Sequence, residues 1–379
     1  MKNPKLTICT LLTLSITVVV AIAGTMEWNM FRQGPQRLGA TDSQLRPPLS
    51  VRWKFKAEGP IYSSPVVSAG VVYIGSRDNN IYAVDATTGL KKWSFKTGDW
   101  VDSTPLVQDG RVYVPSRDGA MYALSAAGGR LIWKTDVGGT HCSSPIAYNG
   151  KIIFGSGFPG KFVVALDMET GKELWKYVTG QIVYSSPTIF NNALYIGAND
   201  GKYTALNPDD GTEKWSVQTS GGIFLSTPAV TNGQVFAAPG DFDRNIYSWA
   251  SADGKLLWKY GMPGQGELLV SSPAVDSTTV YICAGYPVIK LLAIEQQTGA
   301  LLWETEIGAA TQHGYLSSPA VGKEFVWAGT GDGKLLALDK VNGKIASETA
   351  LDSPVLSSPT LTGDRIFAAS SEGILYALW

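Results

Sequence analysis

Few residues in this chain could carry acid–base or covalent chemistry. Its 379 residues include two histidines, His141 and His313, and three cysteines, Cys9, Cys142 and Cys283. Paired histidines suit zinc, but such a site needs a third ligand, with every nitrogen about 2.0–2.1 Å from the ion. Neither histidine has a third ligand of the usual type at metal-ligand spacing. A histidine could instead activate a serine, yet no Gly-x-Ser-x-Gly elbow occurs. The run Gly155-Ser156-Gly157-Phe158-Pro159-Gly160 matches G-x-G-x-x-G. A dinucleotide site would need a helix to follow and present its N-terminus to phosphate, whereas KFVVALD reads as a strand. Asp102 and Glu267 remain as candidate carboxylates. No metal site and no catalytic residue is expected.

What positions these side chains is a repeat. Ser-Ser/Thr-Pro begins at Ser63, Ser103, Ser143, Ser185, Ser226, Ser271, Ser317 and Ser357, at intervals of 40–46 residues. An independent series runs Trp53, Trp93, Trp133, Trp175, Trp215, Trp258 and Trp303, with Ser347 in the eighth register. One unit reads as four strands: SSPVV, VVYIGS, IYAVD and LKKWSF. The turns between them are Ala69-Gly70, Asp78-Asn79-Asn80 and Thr87-Thr88-Gly89. Short alternating strands joined by Gly/Asn/Asp turns are hairpins, and four per repeat make a propeller blade.

The last unit lacks its fourth strand, and Ser50–Lys56 (SVRWKFK) is a fourth strand without a blade. Joining them closes the ring and removes two exposed edges. The expected fold is all-β, an eight-bladed propeller over 50–379 whose last blade is closed by the N-terminal strand. Residues 24–49 form an N-terminal extension. Each tryptophan, on an outermost strand, is expected to dock between blades rather than to touch a ligand.

In such a blade, the loop leading to the next blade lies on the same face as the second turn. That face carries the longer loops 261–270 and 307–316, so a ligand or partner site belongs there, near the channel mouth. The mouth should comprise Tyr62, Trp100, Asp102, His141, Cys142, Tyr184, Phe224, Glu267, His313 and Tyr315. Arg77 and Arg117 stand further out, in matching Ser-Arg-Asp turns. Most of these side chains are expected to pack loops and plug the channel. His141 and His313 face each other across the ring, too far apart to share a metal. Cys142 and Cys283 lie three blades apart, beyond the roughly 7 Å limit for a disulfide.

Residues 1–23 read as a secretory signal peptide: Lys2 and Lys5, an apolar stretch Leu6–Ile22, and Ala21-Ile22-Ala23 as cleavage site. Left uncleaved, the stretch could anchor the chain in a bilayer. No cysteine follows the apolar stretch, so lipidation is not expected, and the protein should be secreted or periplasmic. Losing both lysines takes the formal charge from −1 to −3. That balance argues against nucleic acid as a partner.

The stretches AVDATTGLKKW (83–93) and ALDMETGKELW (165–175) fit the pattern AxDxxTGxxxW, and ALNPDDGTEKW (205–215) and AIEQQTGALLW (293–303) follow it with Asn207 and Asp210, and with Glu295, as their departures. This pattern resembles the tryptophan-docking repeat of the pyrroloquinoline quinone (PQQ) propeller superfamily, over about residues 50–379. Trp28-Asn29-Met30-Phe31-Arg32-Gln33-Gly34 is similar to the segment preceding the propeller in secreted members. The superfamily includes quinoprotein dehydrogenases and non-catalytic envelope scaffolds of the BamB kind. For a dehydrogenase the resemblance implies PQQ on the axis with calcium, carboxylate ligands and, in the alcohol-oxidising branch, two adjacent bonded cysteines. This chain has no adjacent cysteine pair. The expectation is a non-catalytic, monomeric binding scaffold of the cell envelope without a cofactor, its partner an envelope protein or polysaccharide. The alternatives are a PQQ-binding dehydrogenase and a glycan- or cell-wall-binding propeller.

Overall fold

The computed structural model describes residues 27–139, 142–223, 225–263, 269–310 and 316–379. The signal-peptide reading of 1–23 therefore lies outside the described residues. Eight antiparallel sheets follow one another around a ring, and no helix occurs among the described residues. The first blade contains Val66–Ser68, Val71–Gly75, Asn80–Asp85 and Lys91–Lys96, paired in that order. Val51–Lys56 pairs antiparallel with Ile374–Leu378 and completes the eighth blade, as the ends of the sequence require. The sixth blade is larger than the repeat predicts. Leu269–Val270 adds to its sheet beside Gly285 and Ala284, and its outer strand runs Leu301–Ala309, so parts of both long loops continue as strand.

The inner strands are shorter than expected, because Ser-Ser/Thr-Pro precedes the ladder instead of joining it. Proline cannot donate to a ladder, and both hydroxyls have other work. The second residue of each tripeptide gives its N–H to the hydroxyl of its counterpart in the next blade. Ser64 donates to Thr104, Thr104 to Ser144, Ser144 to Ser186 and Ser186 to Thr227. Thr227 then donates to Ser272, Ser272 to Ser318, Ser318 to Ser358 and Ser358 back to Ser64, all at 2.9–3.2 Å. The circle closes around the axis. The first serine ties the tripeptide to its own blade: the hydroxyls of Ser143, Ser271, Ser317 and Ser357 accept from Gly155, Cys283, Gly329 and Ala369.

At the rim, the tryptophans dock as their register implies. The indole N–H of Trp53, Trp93, Trp133, Trp175, Trp215, Trp258 and Trp303 donates to Ala86, Ala126, Met168, Pro208, Ser251, Gln296 and Lys340 of the next blade. Each acceptor carbonyl stands three residues before a turn glycine that lies over the indole. Gly89 has φ +73°, and a Cβ there would meet Trp53 at 2.7 Å. The aspartate of the pattern shapes that turn: Asp85 accepts from the Thr87 and Thr88 amides and the Thr88 hydroxyl. A tyrosine on the blade's second strand packs the ring's inner side, with Tyr73 and Trp93 centroids 5.8 Å apart. The eighth register holds Ser347 for a structural reason. The turn it would dock on is replaced by the junction of the two chain ends, where Trp379 and Ser50 exchange backbone hydrogen bonds.

The N-terminal extension is part of the fold. Inner strands leave one edge facing the channel, and the extension satisfies it blade by blade. Trp28 pairs with Val67, and the Asn29 carbonyl accepts from Val107. Pro35, Gln36, Leu38 and Gly39 accept from Ile189, Val230, Val275 and Val321, and the Ser43 hydroxyl reaches Gly363 in blade eight. Blade three is held by Arg37, which donates to the carbonyls of Ser144 and Pro145. Arg37 also reaches Pro187, while Arg32 donates to Pro273 and Pro319. Both arginines are 1% exposed. Desolvation by burial lowers each to about 9, so both remain cations at neutral pH. The extension closes one end of the channel.

Two outcomes follow. Trp93→Ala should lower unfolding free energy by about 3–5 kcal/mol, while Ser347→Trp should bring no gain because no turn receives the ring. Urea denaturation measures both, and a stabilising Ser347→Trp would contradict the docking account. Arg37→Met should destabilise by about 3 kcal/mol or more, because several buried carbonyls lose their donor together. A melting temperature equal to wild type would show that the extension merely rests on the ring.

Candidate functional site

The other end of the channel holds the candidate site. The residue preceding each Ser-Ser/Thr-Pro points to the axis, so Tyr62, Asp102, Cys142, Tyr184, Leu225, Val270, Leu316 and Leu356 line one cavity of about 90 Å³. Phe31 of the extension also lines it, as do Ser64, Thr104, Ser144, Ser186, Ser272, Ser318 and Ser358 of the circle. The lining is two-sided: blades one to four supply phenols, a carboxylate and a thiol, and blades five to eight supply aliphatic side chains. At roughly 10–15 Å³ per water, the cavity holds about six to nine waters.

Asp102 organises the polar side. Its side chain is 3% exposed and accepts from two guanidinium groups. Arg77 reaches it through Nε at 2.8 Å and a terminal nitrogen at 3.1 Å, and Arg117 reaches it at 2.6 Å. Arg77 also lies 4.0 Å from the Tyr62 ring centroid and 4.5 Å from that of Trp100, and Arg117 is 5.3 Å from Trp100. These are cation–π distances. The arginines sit just outside the cavity lining, as their turns imply, but fold back onto Asp102 rather than standing apart from the mouth.

Their turns are fixed by a second aspartate. The Ser76 hydroxyl donates to Gly59 and Pro60, and the Arg77 N–H donates to Pro60. Asp78 accepts the Glu58 and Asn80 amides and the Tyr82 hydroxyl. Asp118 repeats this with Gly98, Ala120 and Tyr122. Each turn is thus latched to the loop arriving from the preceding blade, which holds the arginine at the mouth.

The thiols are unsuited to nucleophilic work. Burial pushes Cys142 up to about 11, although Arg117 at 3.5 Å acts in the opposite sense. Cys283, on the second strand of blade six, is pushed by burial up to about 12. The reactive form of cysteine is the thiolate, so both thiols are protonated at neutral pH. Both are free. The Gly155–Gly160 run is a turn between Lys151–Ser156 and Phe162–Asp167, with strand on both sides.

Tyr62, Asp102, Cys142 and Tyr184 therefore come together at the cavity, with Arg77, Trp100 and Arg117 around them. His141, Phe224, Glu267, His313 and Tyr315 lie outside the described residues. The sequence reading missed Phe31 and the four aliphatic residues. Their signal was available for the latter, since all stand one place before the repeated tripeptide.

The described residues do not fit PQQ with calcium. Among them, no three His, Cys, Asp or Glu side chains group closely enough to hold a metal. Asp102 is committed to two arginines, and Cys142 and Cys283 stand in different blades.

Comparison with known proteins agrees with the fold. The family model for outer membrane protein assembly factor BamB matches residues 50–100, 96–178, 156–309 and 290–378. The BamB of Nitrosomonas eutropha is 28% identical over 170 residues, 43% of this chain and 38% of that protein. The chain thus spans less than half the length of the curated relatives it matches first. A quinohemoprotein alcohol dehydrogenase from Comamonas testosteroni superposes with a TM-score of 0.81 at 16% identity, over 94% of this chain and 81% of that one. BamB from Moraxella catarrhalis superposes with a TM-score of 0.74 at 18% identity, over 87% of this chain and 99% of that one. Identities this low show the shared propeller alone. The family match runs through all eight blades, and the chain belongs to the family of outer membrane protein assembly factor BamB.

Proposed function

We propose that this chain is a non-catalytic scaffold of the cell envelope, exported by the leader at 1–23, which holds a partner protein on its loop-rich face. The observation that carries this reading is where large apolar side chains stand exposed. Trp100 (40% exposed), Phe158 (68%), Val178 (74%), Phe242 (77%), Tyr286 (54%) and Val288 (44%) all belong to the cavity-mouth face, in its loops or at strand ends. Exposed apolar surface of this kind marks protein contacts. Phe242 and the Tyr286–Val288 turn come from neighbouring blades five and six, and the latter tops the enlarged sixth blade. The opposite face exposes Leu90 and Val341 in short turns, and Leu131, Ile132, Leu174, Leu256, Leu257, Leu301, Leu302 and Ile345 stand exposed where the outer strands begin beside it, on the blades' outer rim rather than in the loops.

Family membership supports the same reading, since relatives bear the name outer membrane protein assembly factor. On this reading the chain works as a monomer without cofactor, and assembly of outer-membrane proteins is the process it serves.

The test is capture from an envelope extract of the native host, read by mass spectrometry. Wild-type protein should retain outer-membrane assembly proteins. The double variant Phe242→Asp/Tyr286→Asp should retain at least tenfold less, with an unchanged melting temperature. Equal capture by the variant would contradict the choice of face. Retention of polysaccharide alone, or dye reduction on adding PQQ and calcium, would contradict the function.

A further inference from the structure

Two buried cations stand beside the axial cavity. Arg32 and Arg37 follow its Phe31 wall in sequence and bond to carbonyls of the tripeptides whose serines line it. Among the described residues, the hydrogen bonds of both go only to carbonyls and neither forms an ion pair, while Arg37 also lies 5.8 Å from the Phe31 ring centroid. The Nε of Arg32 is buried with no hydrogen-bond partner. On the polar side, Arg77 and Arg117 share the single carboxylate of Asp102. Arg32 and Arg37 are thus buried cations beside the cavity with no carboxylate partner among the described residues. A buried charge without a counter-charge is costly, and an anion in the cavity would relieve that cost.

The circle of hydroxyls points the same way. Ser64, Thr104, Ser144, Ser186, Ser272, Ser318 and Ser358 line the cavity, and each is at most 7% exposed. Each oxygen accepts a neighbouring N–H, so its own hydrogen is left to donate. None of these seven hydroxyls donates to another described residue. They form a ring of buried donors, and a buried donor calls for an acceptor.

We infer that the axial cavity is a binding site for a small carboxylate, its oxygens facing the hydroxyl ring and its apolar body lying against Leu225, Val270, Leu316 and Leu356. The cavity size limits the ligand to a few heavy atoms beyond the carboxylate, or to the end of a longer chain. Both a free short-chain acid and the C-terminus of a partner peptide offer that chemistry. The site is separate from the exposed residues proposed to hold a partner protein, so either reading can fail alone.

The experiment is isothermal titration of the full chain, in chloride-free HEPES buffer, with sodium butyrate and with its neutral isostere butyramide. Butyrate should bind one per chain, at least tenfold tighter than butyramide. A second pair, acetyl-Ala-Leu as free acid and as amide, separates a peptide terminus from a free acid, and the free acid should win in whichever pair binds. Leu316→Trp, which fills the cavity from its apolar side, should abolish binding while the melting temperature stays within a few degrees. Equal affinity for a charged ligand and its neutral twin would overturn the inference. So would binding that survives Leu316→Trp, or no binding by wild type.

Discussion

The structure depends on a closed circle of hydrogen bonds around the propeller axis. Eight sheets arranged radially would leave eight inner edges facing one another across a channel, with polar backbone and nothing to pair with. The repeated Ser-Ser/Thr-Pro resolves this with two hydroxyls and a residue that cannot donate. One hydroxyl ties the tripeptide to its own blade, the other receives the neighbouring blade's N–H, and proline ends the segment. Each bond is worth only about 1 kcal/mol net, but the circle works only when all members are present. Serine and threonine, the two residue types found at the second position of the eight copies, both supply the hydroxyl that this circle needs. The outer tryptophans repeat the same logic at greater radius, each tying one blade to the next through an indole N–H and a turn glycine.

Much of this was legible in the residues. Blade number, closure by Val51–Lys56 and the docking role of the tryptophans follow from spacing alone, because a repeat reports its own period. Even the irregular member is informative: Ser347 stands where the next blade has a chain junction instead of a turn. What spacing cannot report is the path of an aperiodic segment. Residues 27–46 carry no strand alternation, so nothing signals that Arg32 and Arg37 turn inward to meet proline carbonyls from distant blades. The direction of the serine hydroxyls was hidden for a similar reason, since serine is equally at home in turns, strands and caps.

The candidate site shows the same division. Asp102, Tyr62, Cys142 and Tyr184 were found because they precede the repeated tripeptide. The apolar half, Leu225, Val270, Leu316 and Leu356, was passed over because aliphatic residues attract no chemical notice. Together the halves describe one two-sided cavity on the axis. Its one described carboxylate is neutralised by two arginines, and its thiol is held protonated by burial. Here the extension seals one end, and the apolar residues of the other face are left for contacts outside the ring.

Hydrogen–deuterium exchange on the chain, alone and bound to its captured envelope partner, tests the account most directly. The account predicts that protection on binding concentrates in residues 97–102, 240–244 and 285–289, while 85–91 and 339–345 on the opposite face exchange unchanged. Protection centred on that opposite face, or confined to the outer strands, would contradict it.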